Sequence, residues 1–475
     1  MLNRPFALAA LLAASCGAQA ANDTDLAAIR SQIEEMKKTY EQRITALEKK
    51  LADAEARTAG PVAVPPAAAT GSAAPAPAAT AAGATETGPV RAIASAANAF
   101  NPEVSLILQG QYANTKDVPN RTITGFWPNQ LDNLRGFSIN ETELVIGGSI
   151  DPYWRGQAVF AVQDNEVGVE EAWIQSLAIG HGVGLKGGRY RSGIGYLNEQ
   201  HPHAWDFADA PLIYVAMFGP AASFTEDGLQ FKWLAPTPLF MEFGVEVGRG
   251  ANYPGTDRNR NGAGAWSLYA HFGDDLGVSH SWRAGVSYLK TSADDRQGDF
   301  VDINGLPAQA AFTGDTSTWL ADFVWKWAPD GNPRYRNFKF QTEYFWRQDK
   351  GDLTCTGLGS ACDPLAAGDA VTDNYSTRQS GWYAQGVFQF TPEWRAGLRY
   401  DQLDSGVQDL GANALNLAVQ DYRPKRATAM VDYSWSEFSR LRLQYAQDKS
   451  MSGITDNQWI VQYIMSLGAH GAHKF

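Results

Sequence analysis

Across residues 100–475 apolar and polar side chains alternate in short segments, and the last of these is the clearest. Trp459, Val461, Tyr463, Met465 and Leu467 interleave with Gln458, Gln462 and Ser466, and an aromatic, Phe475, stands at the end. A period of two puts one row on each face of a β-strand. An apolar row against lipid and a polar row against water suit a strand of a transmembrane barrel. Sixteen such segments begin near Val104, Phe137, Trp154, Val169, Leu185, Gly228, Leu239, Ala265, Ser281, Trp319, Asn337, Gly381, Trp394, Arg426, Arg440 and Asn457. The predicted fold is therefore an all-β transmembrane barrel of about 16 antiparallel strands over residues 100–475.

The connections support this topology. Seven are tight, at 151–152, 181–184, 236–238, 274–277, 330–333, 391–393 and 436–439, while 114–134, 291–316, 351–379 and 404–425 are long and polar. Seven short turns are what sixteen strands require when both ends of the barrel lie on the periplasmic side. A soluble sandwich or propeller would share the hairpins, but not the outward rows of Trp, Phe and Tyr.

The period changes ahead of the barrel. Leu26, Ile29, Ile33, Met36, Tyr40, Ile44, Leu47, Leu51 and Ala54 recur every three or four residues, which predicts an α-helical coiled coil over 21–57 with a stutter near Tyr40. A lone amphipathic helix is the alternative. Residues 58–99, almost wholly Ala, Pro, Gly, Thr and Val, predict a disordered linker. The linker would hold the coiled coil in the periplasm, within reach of peptidoglycan, although no dedicated cell-wall motif is present. Arg4, the apolar run 6–14 and Ala18-Gln19-Ala20 read as a signal peptide over 1–20. Cys16 leaves a lipoprotein reading open, with Ala13 where a larger aliphatic is usual.

Composition sharpens the picture in three places. No stretch after residue 20 reaches the roughly 20 apolar residues of a spanning helix, yet aromatics make up 12% of the chain, with 15 Trp. Cys355 and Cys362, in a Gly- and Asp-rich stretch of an exported chain, are expected to close a surface disulfide, two unpaired thiols being the alternative. The formal net charge of −12 offers no footprint for nucleic acid.

That charge is unevenly placed. Over 337–347, Phe338, Phe340, Tyr344 and Trp346 form the lipid row, while Lys339, Gln341, Glu343 and Arg347 face inward. The same sorting assigns Arg155, Arg189, Arg191, Lys232, Arg283, Lys326, Arg395, Arg399, Arg426, Arg440 and Arg442 to the lumen. The matching acids are Glu242, Glu246, Asp322, Glu343, Asp401 and Asp432, and much of the remaining acid sits in the long connections, as in Asp294, Asp295, Asp299, Asp302, Asp363, Asp369 and Asp373. A basic, water-filled lumen concentrates anions. The competing expectation is that these charges pair between strands and only keep the lumen wet.

One connection is too apolar for solvent. Residues 195–220 contain Trp205, Phe207, Ile213, Tyr214, Met217 and Phe218 and are expected to fold against the inner wall and constrict the pore, with Glu199, His201, His203, Trp205 and Asp206 at the constriction. His201, His203 and Asp206, with Glu199, have ligand types that suit zinc, as do His470 and His473. A His-Pro-His turn that bonds its own loop is the plain alternative, and no other cofactor is expected. Neither a nucleophile elbow, a phosphate-cradling glycine loop nor a zinc-protease helix occurs, so no enzymatic activity is predicted.

The sixteen-strand pattern, Leu185-Lys186-Gly187-Gly188-Arg189-Tyr190 before the third long connection, the basic lumen and Phe475 resemble trimeric phosphate-selective porins of the outer membrane. That resemblance implies a constricting third loop, a homotrimer, and a last aromatic read by the barrel assembly machinery. Phe100-Asn101-Pro102 and 195–207 are similar to a proteobacterial group labelled zinc-regulated or TonB-dependent outer-membrane receptors, here without a plug domain, since about 375 residues cannot hold a plug and a 22-stranded barrel. The expected function is passive diffusion of small, anionic solutes. A tether between outer membrane and cell wall through the coiled coil is the second expectation, and zinc-linked uptake a third.

Overall fold

The structure, a computed structural model, describes residues 102–468 apart from 119–120, 128–130, 132–134, 140, 164–165, 257–261 and 357–369. The expected signal peptide, coiled coil and linker, and Cys362, His470, His473 and Phe475, lie outside the described residues.

The alternating segments form β1 (Glu103–Asn114), β2 (Gly136–Ser138), β3 (Thr142–Ser149), β4 (Trp154–Gln163), β5 (Glu166–Ser176) and β6 (Val183–Arg191). A short helix, α1 (Leu212–Phe218), precedes β7 (Thr225–Leu234), β8 (Phe240–Gly248), β9 (Ala265–Leu276), β10 (His280–Val301) and β11 (Pro307–Trp327). Then follow β12 (Asn337–Thr356), β13 (Val371–Gln389), β14 (Trp394–Asp409), β15 (Lys425–Ser436), β16 (Ser439–Lys449) and β17 (Asp456–Gly468). Every strand pairs antiparallel with its neighbours, and β17 returns to β1, with Gln111 opposite Gln462 and Ser105 opposite Gly468. The sheet is closed and has no free edge.

Seventeen strands make sixteen staves, because β2 and β3 share one. Gln111 pairs with Ser138 near the long-loop end of β1, and Ile107 pairs with Glu143 farther down. Between these two pairings the β2–β3 side has one residue more than β1, which flips the side-chain phase. Phe137 accordingly points out, 90% exposed, while Glu143 points in, 1% exposed.

The outer face is an apolar belt between two aromatic rows. Near the tight turns, Trp394 packs on Tyr433, Tyr433 on Trp435, and Trp325 on Phe338. The upper row runs through Trp266, Tyr288 and Trp319, with Trp382 on Tyr400 and Tyr445 on Trp459. Leu229, Val247, Leu268, Leu398 and Leu443 lie on the exposed face between them. Aromatic girdles flanking an apolar band are how a barrel meets the two membrane interfaces, and closure satisfies each ladder hydrogen bond internally. The chain is an outer-membrane β-barrel.

Two of the long polar connections expected from sequence are largely strand. β10 to β13 are 22, 21, 20 and 19 residues long, well beyond the roughly 9–11 that cross a bilayer. Above the upper aromatic row their pattern inverts. Ser292, Asp315 and Thr354 face water, while Ala293, Ala310, Phe312, Leu353, Cys355 and Tyr375 form an apolar cluster inside. Cys355, at the end of β12, is disulfide-bonded.

The belt boundary is testable. Leu443→Arg, midway between Leu441 and Tyr445 on the outer face of β16, should lower the unfolding free energy in phospholipid vesicles by about 2–4 kcal/mol. Gln297→Arg, on the extension of β10 above the belt, should change it by no more than about 0.5 kcal/mol.

Candidate functional site

The connection between β6 and β7 turns inward and crosses the lumen to the opposite wall. Gly195 makes the bend with φ of 69°, a left-handed conformation that disfavours a Cβ, and an added Cβ would lie 2.5 Å from Glu343 Oε2. Its amide donates to Ser287 Oγ at 3.2 Å, and its carbonyl accepts from Arg283 at 3.0 Å. Asn198, 1% exposed, ties the two limbs of the crossing together. Its Nδ2 donates to the carbonyls of Ser192 and Phe224 at 2.7 and 3.0 Å, and its Oδ1 accepts from the Phe224 amide at 2.6 Å.

Glu343 of β12 is the main anchor on the far wall. Its carboxylate accepts from the amides of Tyr196 and Leu197 at 3.2 and 3.1 Å and from the hydroxyls of Tyr214 and Tyr383 at 2.8 and 2.6 Å. α1 starts after Pro211, where Asp401 of β14 accepts from the Leu212 amide at 2.9 Å, and ends at Gly219, whose φ is 79°. All seven of its residues are buried, and Tyr214 and Phe218 pack edge-on against Phe345 in an apolar cluster inside the barrel.

Wall arginines meet the carbonyls of the crossing. Arg440 donates to His203 O at 2.6 Å, Arg442 to Trp205 O at 2.9 Å, Arg399 to Asp209 O at 2.8 Å and Arg347 to Ala216 O at 3.0 Å. Arg426 donates to Ala210 O. Acids of the same segment meet the same wall. Asp209 pairs with Arg399 at 2.7 Å and Arg426 at 2.8 Å, while Asp206 pairs with Lys339 and, at 3.4 Å, with Arg395. Burial pushes the Asp209 carboxyl up, but Arg399 and Arg426 outweigh it and hold it down to about 2. Glu199 pairs with Lys232 of β7 at 2.9 Å.

The basic positions expected in the lumen therefore fall into distinct settings. Arg347, Arg399, Arg426, Arg440 and Arg442 hold the crossing segment. Lys232, Lys339 and Arg395 pair with its acids, and Arg283 caps Gly195 and lies over the Tyr196 ring. Arg191, 5% exposed, bonds Gln200 O and Glu170. Arg155 pairs with Glu103 near the turn end, and Lys326 stands opposite Lys339 on the inner face.

Arg189 corrects the inferred facing. It is in register with Asp227, which shares its row with the exposed Leu229, Phe231 and Trp233, and the two pair at 2.6 Å on the outer face. Tyr190, 0% exposed, points inward instead, with Lys186 over its ring at 5.9 Å. Lumen groups the sequence reading missed include Lys186, Glu143, Glu170, Glu171, Asp209 and Glu226. The adjacent acids Glu170 and Glu171 break the alternation of β5, which was the available signal for a bulge there.

The proposed metal ligands separate. Asp206 goes to Lys339, Arg395 and Gln385, whereas the rings of His201 and His203 stack 5.7 Å apart beside Glu143. A cluster of potential ligands does form, but from Glu141, Glu143, Glu170 and His201. Burial and Arg191 pull the His201 imidazole down; Glu143 and Glu170 outweigh both and hold its pKa well above the ordinary value.

No family model matches the chain. An uncharacterized protein of Aquifex aeolicus (strain VF5) is 30% identical over 407 residues, covering 79% of this chain and 80% of that one. The chain belongs to the same family. Among solved structures it is similar to the outer membrane channel DcaP of Acinetobacter baumannii, with 11% identity, a TM-score of 0.48 and coverage of 77% of this chain and 97% of that one. It is also similar to a loop L8 deletion mutant of OmpT of Vibrio cholerae (9% identity, TM-score 0.46, 77% and 99% covered) and to an anion-selective porin from Comamonas acidovorans (9% identity, TM-score 0.42, 77% and 99% covered).

The anchor predicts its own test. Glu343→Ala strips an acceptor from two amides and two hydroxyls, at about 1–3 kcal/mol for each group left unpaired. Hydrogen exchange of peptides from 195–220 should accelerate about 30-fold or more, while exchange of the outer strands β4 and β16 stays as in the parent.

Proposed function

We propose that this barrel is a porin-like channel for passive diffusion of small anionic solutes across the outer membrane, constricted by residues 195–220. The observation that carries the reading is the charge at the turn end of the inner wall. Along the β12–β16 arc, Lys339, Arg395, Arg440 and Arg442 gather around two carboxylates, Asp206 and Asp432. Among the described residues, four cations against two acids leave that cluster positive, although the whole chain carries −12. A low-dielectric wall focuses such a field and raises the local anion concentration. In this reading the coiled coil over 21–57 joins three copies below the membrane, in reach of peptidoglycan, and Phe475 is the residue recognised during assembly.

The tether reading keeps one observation of its own. The cluster that includes Leu197, Trp205, Ile213, Tyr214, Phe218, Leu320, Phe345 and Leu403 packs apolar side chains in the interior between facing walls. A barrel filled in this way would serve as an anchor for the periplasmic segment.

Purified protein in a planar bilayer under a KCl gradient separates the two readings. Steady conductance with a reversal potential favouring chloride is expected, and Lys326→Glu should reduce the chloride-to-potassium permeability ratio about twofold or more. Cation preference in the parent would overturn the assignment of the mouth, and absence of conductance would favour the tether.

A further inference from the structure

Two irregularities of the wall aim carboxylates at one place. In β5, Val159 pairs with Glu171 and Phe160 with Val169, so Glu170 is the extra residue of a bulge and joins Glu171 on the inner side. The extra residue between β2 and β3 does the same for Glu141 and Glu143. Bulges re-aim side chains in this way beside functional sites. The crossing segment then delivers His201 between them.

One ligand atom from each of Glu141, Glu143, Glu170 and His201 lies within 4.8 Å of the others. His201 Nδ1 stands 3.1 Å from Glu170 Oε2 and 3.3 Å from Glu143 Oε2. Ligands about 2.0–2.1 Å from a tetrahedral zinc are about 3.3–3.4 Å from one another, so these two separations are close to the edges of such a shell. A single Nδ1 proton can serve only one of the two carboxylates. Glu143 is 1% exposed, and apart from His201 Nδ1 at 3.3 Å no donor among the described residues stands at its Oε2, nor does a well-aligned one at the buried Oε1 of Glu141. Four carboxylates, those of Glu141, Glu143, Glu170 and Glu171, face two basic groups, the Arg191 guanidinium, 3.2 Å from Glu170, and the His201 imidazole, so acids outnumber bases there. Buried charge in such excess is costly without a counter-ion.

We propose that Glu143, Glu170 and His201, with Glu141 beside them, bind a first-row divalent cation that pins the crossing segment to the β3–β5 wall. Imidazole with carboxylates suits zinc, cobalt, nickel or manganese. Binding displaces the proton from His201 and supplies the charge that the carboxylates lack. His203, whose Nδ1 is 2.9 Å from Glu143 Oε1, orients that carboxylate. The site does not depend on the diffusion reading, since a barrel that conducts nothing could hold the ion equally well.

The full chain, purified in detergent and stripped with EDTA, is titrated with ZnCl2 by calorimetry and with CoCl2 by the visible absorbance of bound cobalt. One ion per chain is expected, with affinity lowered at least tenfold by Glu143→Gln and by His201→Gln, and retained when His470 and His473 are both replaced by Gln. Heat-modifiable mobility on a gel verifies that each variant keeps its barrel, and Glu170→Gln replaces any variant that does not. No saturable binding by the parent, undiminished binding in the cluster variants, or loss of binding only with the His470 and His473 replacements would overturn the proposal.

Discussion

A peptide segment drawn into the middle of a barrel must find a partner for each backbone group it takes out of water. That constraint organises the interior of this molecule. α1 is too short to satisfy the crossing internally, so carbonyls from His203 to Ala216 are met by arginines of β12, β14, β15 and β16. The amides are met from the same wall by Glu343, Asp401 and Gln444. The positions of those charges follow from where the backbone passes. Only the charge left after those contacts acts on the lumen, because each acid and each arginine is partly consumed in holding the crossing.

The same accounting explains the upper part of the barrel. Once β10 to β13 leave the membrane, water can satisfy their outer face and the apolar row moves inside. Trp127 enters the space left by Gly298, where an added Cβ would stand 1.0 Å from the indole nitrogen. Arg296 lies 5.0 Å from the Trp127 ring, 5.0 Å from Tyr253 and 4.7 Å from Phe312. A guanidinium among three aromatic faces keeps its charge while filling apolar space. The extension is thus a second packed layer built on strands that no lipid constrains.

Much of the wall is legible in sequence because its signal is local. Trp459 to Leu467 reveal their facing within one strand, and the same alternation puts the starts of the staves within three residues of the observed ones, except Trp319 and Gly381, which lie well inside β11 and β13. The upper halves of β10 to β13 were hidden because their polarity is reversed, with Ser292 and Asp315 outside and Phe312 inside, which reads as loop when lipid is assumed outside. Arg189 was misplaced for a related reason. An inward Arg189 would turn Tyr190 toward lipid, whereas Tyr190 packs in the lumen beneath Lys186. Facing slips of one residue reverse a whole row. The crossing segment was legible from its apolar content, but its partners were not. Glu343 is 147 residues from Tyr196, and no periodicity within either segment links them.

The division of labour between arginine and lysine follows from what each contact demands. Where a side chain must reach a carboxylate and a backbone carbonyl together, as Arg399 does with Asp401, Asp209 Oδ1 and Asp209 O, the residue is arginine. Its planar fork offers five donors and stays charged when buried, which a single ammonium does less well. Arg347, Arg399 and Arg442 are accordingly almost fully buried. Lys232 and Lys339 sit in more accessible positions, with 24% and 17% of their side chains exposed, and each answers chiefly to one acid of the crossing. Arginine thus fixes the backbone of the crossing, and Lys232 and Lys339 answer its acids Glu199 and Asp206.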